Sequence, residues 1–281
     1  VKSGWVKIAE AIKADGINCK EQVEEMEAPR DILVVWRQFD NFPMETLTKA
    51  WTHAKGVPGQ RDVETMERHR EKYGITGNCF DLAIWLLEAF KEGGIEAYPI
   101  GSELGTGDDH AAVMAVDGKG RRFLCDLGDQ WLQPILIDGD DPAYTDEKLS
   151  GFFPGAEVQL ISGKENFKVI YHRPNGKFST QVYSSEPVPM KDFLAAAEIS
   201  QNNVYPKPLL EVRLPWENET AHWEFDDWKS FLSTSKGLYE DPPLYTVDDW
   251  VGRIHDRTGF DKAVLKESLE YFKKLRKETA S

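Results

Sequence analysis

The sequence predicts an α+β protein in three parts: helices over residues 1–94, an antiparallel sheet or barrel over 95–190, and a mixed α/β region over 191–281. Three observations carry this. Up to Gly93-Gly94 the apolar residues recur at three- and four-residue spacing, the period of a half-buried helix. From Ile95 to about Pro189 they fall in short runs rich in β-branched and aromatic residues, separated by Gly/Asp clusters, the pattern of strands and turns. From Met190 on, helical patterns return around a proline-bounded stretch.

In the first part, WVKIAEAIKA and METLTKAWTHA show the helical spacing. Pro43, just ahead of the second, fits a first-turn position, where its missing N–H costs nothing. DILVVW (Asp31–Trp36) is an apolar run too short for periodicity to assign. Leu82, Trp85, Leu86, Ala89 and Phe90 then mark one buried face of a helix that starts at or just after Cys79 and stops at Gly93-Gly94. IEAYPIG, HAAVMAV, RRFLCDL, AEVQLIS, NFKVIYHRP and KFSTQVYSSEPVP read as strands. MKDFLAAAEISQ reads as a helix and NNVYPKPLLEVRLPWENE as a strand and turn; HWEFDDWKSFLSTS is aromatic-rich and has no assigned type. VDDWVGRIHDRTGF and DKAVLKESLEYFKKLRKE are helices, with Asp261 as the cap of the last. Leu265, Leu269, Phe272 and Leu275 line one side of that helix and lysines the other, so it is expected to pack by its apolar face rather than lie on a membrane.

Composition excludes several classes of function. Hydrophobic residues at 41% and charged residues at 29% describe an ordinary globular chain. With 34 Lys plus Arg against 48 Asp plus Glu, the net charge of −14 repels phosphate backbones, so nucleic acid is not an expected partner. No apolar run approaches the roughly 18 residues of a membrane span, and the first residues do not read as a secretory signal. The three cysteines, Cys19, Cys79 and Cys125, are widely spaced and form no CxxC pair. Neither a disulfide framework nor a structural zinc is expected, and a cytoplasmic protein with reduced thiols and no metal or bound cofactor is.

Cysteine chemistry needs a thiolate, a base to make it and a group to orient the base. Cys79 stands at the start of a helix, where free N–H groups and the macrodipole favour negative charge. Of the six histidines only His110 opens a clean strand, after the glycine-containing loop GSELGTGDD. If Gly118-Lys119-Gly120 closes a hairpin, Asp117 pairs with Arg121, Ala112 with Asp126 and His110 with Gly128. His110 and Asp126 then share a face one diagonal step apart, within reach of an imidazole–carboxylate bond. A shorter or longer loop by one residue puts them on opposite faces. Asp108 and Asp109 compete as orienting acids, Cys125 faces away into the core, and Cys19 belongs to no constellation. Each of Cys79, His110 and Asp126 taken singly also has a purely structural reading.

These residues carry a resemblance. GNCFDLAIWLLEAFKEGGIEAYPIG resembles the cysteine loop and following helix of the arylamine N-acetyltransferases, with Cys79-Phe80-Asp81 at that family's Cys-Phe-acid triplet. DHAAVMAVDGKGRRFLCDLGDQWLQP resembles its histidine strand and Asp-Val-Gly segment; METLTKAWTHAKGVP and, more loosely, FLAAAEISQNNVYPKPLLEVRL extend the match, which is specific only from about 74 to 134. The resemblance implies an N-terminal helical bundle, a central antiparallel β-barrel and a C-terminal α/β lid on a papain-like core. It implies a Cys79–His110–Asp126 triad and transfer of acetyl from acetyl-CoA, a co-substrate rather than a bound cofactor, to an amine such as an arylamine or hydrazine. Ile75, Thr76 and Gly77 stand where the family has Arg-Gly-Gly, so the arginine–acid brace of the cysteine loop is expected to be missing. Gly77, Cys79, Asp81 and Ala83, then GIEA, His110-Ala111 and Asp126, resemble transglutaminase-like cores as well, which keeps a cysteine amidase, protease or amide-forming enzyme open. A silent binding module on the same scaffold is the third reading.

Overall fold

The computed structural model describes residues 26–106 and 109–279. The helix expected at WVKIAEAIKA, Cys19 and Asp108 lie outside them.

Among the described residues the first part holds four α-helices: α1 (Arg30–Trp36), α2 (Leu47–Ala54), α3 (Val63–Tyr73) and α4 (Cys79–Glu92). The unassigned DILVVW run is α1; Ile32, Val35 and Trp36 are its buried residues. Pro43 is not in a helical first turn. It precedes a two-residue strand, β1 (Met44–Glu45), and α2 begins only after Thr46. That strand has a partner outside the local sequence, which helical periodicity cannot register: Met44 pairs with Glu211 and bridges to Gly77. α4 ends at Gly93 as predicted.

The central part is antiparallel throughout but is not a closed barrel. It consists of two four-stranded sheets, one ordered β2 (Glu96–Ser102), β3 (His110–Val116), β4 (Arg122–Cys125), β5 (Ile135–Leu136), the other β6 (Leu149–Phe153), β7 (Ala156–Ser162), β8 (Asn166–His172), β9 (Phe178–Ser184). Closure needs ladders between β9 and β2 and between β5 and β6. Pro99 in β2 has no N–H to give, and that edge is bonded instead to the segment just after β9, through Tyr98 Oη to Ser185 O (3.3 Å) and Val188 N to Pro99 O (3.0 Å). β5 is two residues long, and the backbone bond from Leu132 N to Phe152 O (2.8 Å) is the link on that side.

The last part begins with α5 (Met190–Asn202). A five-stranded sheet follows in the order β1, β10 (Leu209–Trp216), β11 (Glu219–Asp226), β12 (Lys229–Thr234), β13 (Gly237–Glu240), then α6 (Val247–Thr258) and α7 (Lys262–Thr279). The aromatic stretch of unassigned type is the β11–β12 hairpin, turned by Asp227 and Trp228 at positive φ (44° and 66°). Asp261 Oδ1 caps α7 through the N–H groups of Ala263 (2.8 Å) and Val264 (3.0 Å). Val264, Leu265, Leu269 and Phe272 of α7 are buried in one cluster with Leu47, Ala50 and Trp51 of α2 and the inner face of the last sheet. The terminal helix is thus a packed one, and no helix among the described residues is long and apolar enough to cross a membrane. A second cluster joins α1 and α4 to both central sheets. α4 lies in it with Phe80, Leu82, Leu86 and Phe90 fully enclosed, so its first residue is held at a fixed place against β3.

Candidate active site

Cys79 is the first residue of α4. Asn78 caps the helix: its side chain accepts from Asp81 N (3.1 Å), and Asp81 Oδ2 accepts in return from Asn78 N (3.2 Å). Asp81 is 1% exposed, and its charge is compensated on every side. Gln60 Nε2 donates to Oδ1 (2.8 Å), Gln201 Nε2 to Oδ2 (2.9 Å), and the buried Arg61 guanidinium pairs with Oδ2 at 3.1 Å. Arg61 also donates to Thr76 O. The brace expected to be missing is therefore present, supplied by an arginine well upstream of the cysteine loop. Gly77 makes room for it: at φ 152° any Cβ would collide with the Asp81 carboxylate and come within 2.6 Å of Arg61 Nη2.

His110 opens β3, and the hairpin that follows has the predicted loop. Val116 pairs with Arg122 and Val113 with Cys125, Asp117 N donates to Arg121 O (3.0 Å), and Gly120 takes the left-handed position at φ 83°. The ladder stops at Cys125, and the chain continues into a turn closed by Trp131 N to Asp126 O (3.1 Å). Asp126 stays on the face of His110, and its Oδ2 lies 2.7 Å from His110 Nε2. With that nitrogen facing a carboxylate, Nδ1 is the one left for a nucleophile, and Cys79 and the ring flank Gly128 together. The structure thus brings Cys79, His110 and Asp126 together.

Residues the sequence reading did not single out complete the surroundings. Tyr183 Oη donates to Asp126 Oδ2 (2.6 Å) and Asp129 N to Asp126 Oδ1 (2.9 Å), so both oxygens of the fully buried carboxylate are occupied. Asp129 Oδ1 is 3.7 Å from His110 Nε2, while its Oδ2 accepts from Tyr171 Oη (2.6 Å), itself bonded by Trp131 Nε1 (3.2 Å). Gly128 is wedged among the three: a Cβ there would lie 2.8 Å from both Cys79 Cβ and His110 Cε1 and 3.2 Å from Asp126 Oδ1. Burial pulls the His110 imidazolium down, but the charges of Asp126 and Asp129 and the bonds to Asp126 and Cys79 outweigh it and hold the ring well above the ordinary histidine range. Burial, helped by Asp126 and Glu211 and opposed by His110, pushes Asp129 up to about 6.

The other candidates fall elsewhere. Cys125 is fully buried, and burial raises its thiol well above the ordinary value. Asp109 Oδ1 accepts from Thr106 N (3.1 Å), within its own loop. His53 bonds Gln201 O (3.0 Å), His172 Gln159 Oε1 (3.0 Å) and His255 Phe260 O (2.8 Å), while His69 lies against Trp51 and His222 against Glu211 at 3.3 Å. Among the described residues, His110, Asp126 and Asp129 alone bring three ligand atoms within 4.8 Å of one another, as a metal would need. The His110–Asp126 bond and the donors on Asp126 already use those atoms, which favours the proton-handling arrangement over a cation site.

Arg61 and Tyr183 gave no sequence signal, being one of many arginines and one residue of an edge strand whose neighbours are mostly exposed. Asp129 was accessible in principle as the carboxylate one turn beyond Asp126.

No protein-family model and no curated protein matches the sequence. Solved structures do match the fold. An arylamine N-acetyltransferase from Mycobacterium abscessus superposes with a TM-score of 0.66 at 14% identity, covering 92% of this chain and 96% of its own. The Mycobacterium marinum arylamine N-acetyltransferase in complex with CoA gives 0.63 at 12% identity over 84% and 90%. The Salmonella typhimurium arylamine N-acetyltransferase gives 0.63 at 12% identity over 88% and 91%. With its helical first part, two central antiparallel sheets and C-terminal sheet and helices, the chain has the arylamine N-acetyltransferase fold.

Proposed function

We propose that this chain is a cysteine acyltransferase that takes an acyl group, acetyl first among candidates, from an acyl-CoA onto Cys79 and passes it to an amine. The observation that carries the reading is the convergence of Cys79 at the N-terminus of α4, the His110 imidazole and the buried Asp126 around Gly128, with His110 bonded to Asp126. His110 accepts the Cys79 proton at Nδ1, and Asp126 and Asp129 stabilise the imidazolium. The thiolate attacks the donor carbonyl. The capping box uses the N–H of Asp81, and the N–H groups of Cys79 and Phe80 face the developing oxyanion. The donor thiolate leaves with the proton from His110, giving the acyl-cysteine. An amine then attacks the thioester, His110 takes the amine proton, and Cys79 leaves as thiolate, which restores the starting pair. CoA as donor is supported by the fold and by the Mycobacterium marinum relative solved with CoA.

The test is intact-mass measurement after brief incubation with acetyl-CoA. A single acetyl adduct on the Cys79 peptide, discharged by added amine and absent from Cys79→Ala, is the expected result. An unmodified Cys79 with acetyl-, propionyl- and malonyl-CoA alike would remove the acyl-CoA reading.

A further inference from the structure

A small cavity of about 280 Å³, to which neither Cys79, His110 nor Asp126 contributes, lies where the three parts of the chain meet. Asp40 and Phe42 line it from the loop ahead of β1, Arg70 from α3, Gln130 from the turn after β4, Arg213 from β10 and Arg257 from the end of α6. Three guanidiniums around one cavity stand out in a chain of net charge −14. Their hydrogen bonds go to neutral groups. Arg213 donates from Nη1 to Trp131 O (2.7 Å) and from Nη2 to Phe39 O (2.5 Å). Arg70 donates to Gly74 O and to Asn41 O (2.8 Å) and lies over the Phe42 ring, and Arg257 lies over the Trp223 ring. Among the described residues none of the three is in an ion pair, and Asp40, the one carboxylate of the lining, acts on Arg213 only from farther off. Two polar atoms of the lining are buried without a partner: Arg213 Nε, a donor, and Oε1 of the fully buried Gln130, an acceptor. The amide of Gln130 is not simply turned around, because its Nε2 already donates to Phe42 O (3.1 Å) and Leu127 O (2.8 Å).

We infer that this cavity is a binding site for inorganic hydrogen phosphate, with Arg70, Arg213 and Arg257 as its cations and Gln130 as the acceptor of its remaining proton. Guanidinium groups favour oxyanions, whose oxygens take up N–H donors in the plane of the fork. Arg213 Nε therefore finds its acceptor in a phosphate oxygen, and Gln130 Oε1 finds its donor in the P–OH. Other anions answer only half of this. A carboxylate or sulfate carries no proton near neutral pH, and a phosphomonoester loses its own above about pH 6. A water molecule satisfies one donor and one acceptor but leaves the guanidinium charge uncompensated, and a buried charge needs a counter-ion. Three guanidiniums less the Asp40 carboxylate leave two positive charges, which the hydrogen phosphate dianion balances. The inference is independent of the reading of Cys79. A phosphate held here joins the helical part, the turn after β4 and the last sheet, one residue along the chain from Asp129.

The experiment is equilibrium dialysis of the full chain against radiolabelled phosphate near neutral pH at constant ionic strength, with sulfate as competitor. Dialysis reads occupancy itself, whereas phosphate and sulfate raise the melting temperature of proteins without a site. Saturable binding of a single phosphate per chain is expected, and sulfate, of the same shape but without the proton, should compete about tenfold more weakly. Arg257→Ala, which removes a cation, and Arg213→Lys, which keeps the charge but gives up Nε, should each weaken binding by about tenfold. The inference is overturned by an absence of saturable binding, by unchanged affinity in Arg257→Ala, or by sulfate competing as well as phosphate does. Arg257 is exposed, so its variant decides the matter even if Arg213→Lys fails to fold.

Discussion

Replacing Gly128 by alanine tests the candidate site with one methyl group. The added Cβ falls 2.8 Å from Cys79 Cβ and from His110 Cε1, where ordinary carbon contacts are about 3.5–4.0 Å. Neither neighbour can yield easily: Cys79 is in the first turn of a helix enclosed in the core, and His110 is bonded to an Asp126 locked by Tyr183 and the Asp129 N–H. The two must therefore part by about 1 Å, and a displacement of that size between reacting groups costs on the order of a hundredfold, near 3 kcal/mol of barrier. The same methyl should lower folding stability by only about 1–3 kcal/mol, the ordinary range for overpacking. Alkylation of Cys79 at mildly acidic pH and acetylation by acetyl-CoA should both drop, in a protein that still melts cooperatively. Gly128→Ala that alkylates at the wild-type rate would refute the argument, because Cys79 and His110 would then not be acting as a pair across this glycine.

Three further outcomes follow from the same geometry. Tyr183→Phe removes one of the donors to a buried carboxylate and should cost about 1.5–3 kcal/mol in urea unfolding, with no loss in Tyr183→Phe meaning that the bond to Asp126 does not form. Arg61→Met leaves Asp81 buried without its cation and should cost about 3–5 kcal/mol, and adding Asp81→Asn should recover much of it; additive losses would show that the pair is not coupled. Stability should fall as pH rises from about 5 to 8. Glu224 is pushed from 4.5 to about 7 by burial and by Glu211 directly across the ladder, and Asp129 and His110 are also raised. A raised group binds its proton more tightly when folded, so its contribution is complete below the unfolded value and is lost as pH passes the folded one. For Glu224 that amounts to about 3 kcal/mol at most, and Glu224→Gln should flatten the melting-temperature profile over this interval.

What was readable in the sequence was whatever a local rule determines. Helix α4 followed from its apolar period, and the His110–Asp126 approach followed from strand parity once the Gly118–Gly120 loop was assumed, because parity propagates along a ladder without any tertiary information. The closed barrel failed for a reason of the same local kind: a proline in β2 and the brevity of β5 deny the two ladders that closure requires, and Pro99 was there to be read. β1 could not be found locally, since a two-residue strand exists only through partners far downstream, more than a hundred and sixty residues on in β10 and more than thirty on at Gly77.

The loop ahead of Cys79 shows where motif reading and physical need part company. A motif records which residue type stands at which spacing, and by that measure Ile75-Thr76 lacks the arginine. The physical need is different: a buried carboxylate at the third position of α4 must meet a cation and several donors, whatever their origin. Asp81 is a short side chain, so its partner must come close to the helix start, and Arg61 does so by reaching over Gly77, the one residue there with no side chain to obstruct it. The same space lets Gln60 and Gln201 close on the carboxylate, and Gln201 belongs to α5, the connection to the last sheet. Replacing the local arginine by a distant one thus ties the nucleophile loop to the C-terminal part of the chain. A variant that loosens α5, such as Gln201→Ala, should therefore slow Cys79 alkylation although it touches neither His110 nor Asp126. An unchanged rate in that variant would mean that the brace is complete without α5.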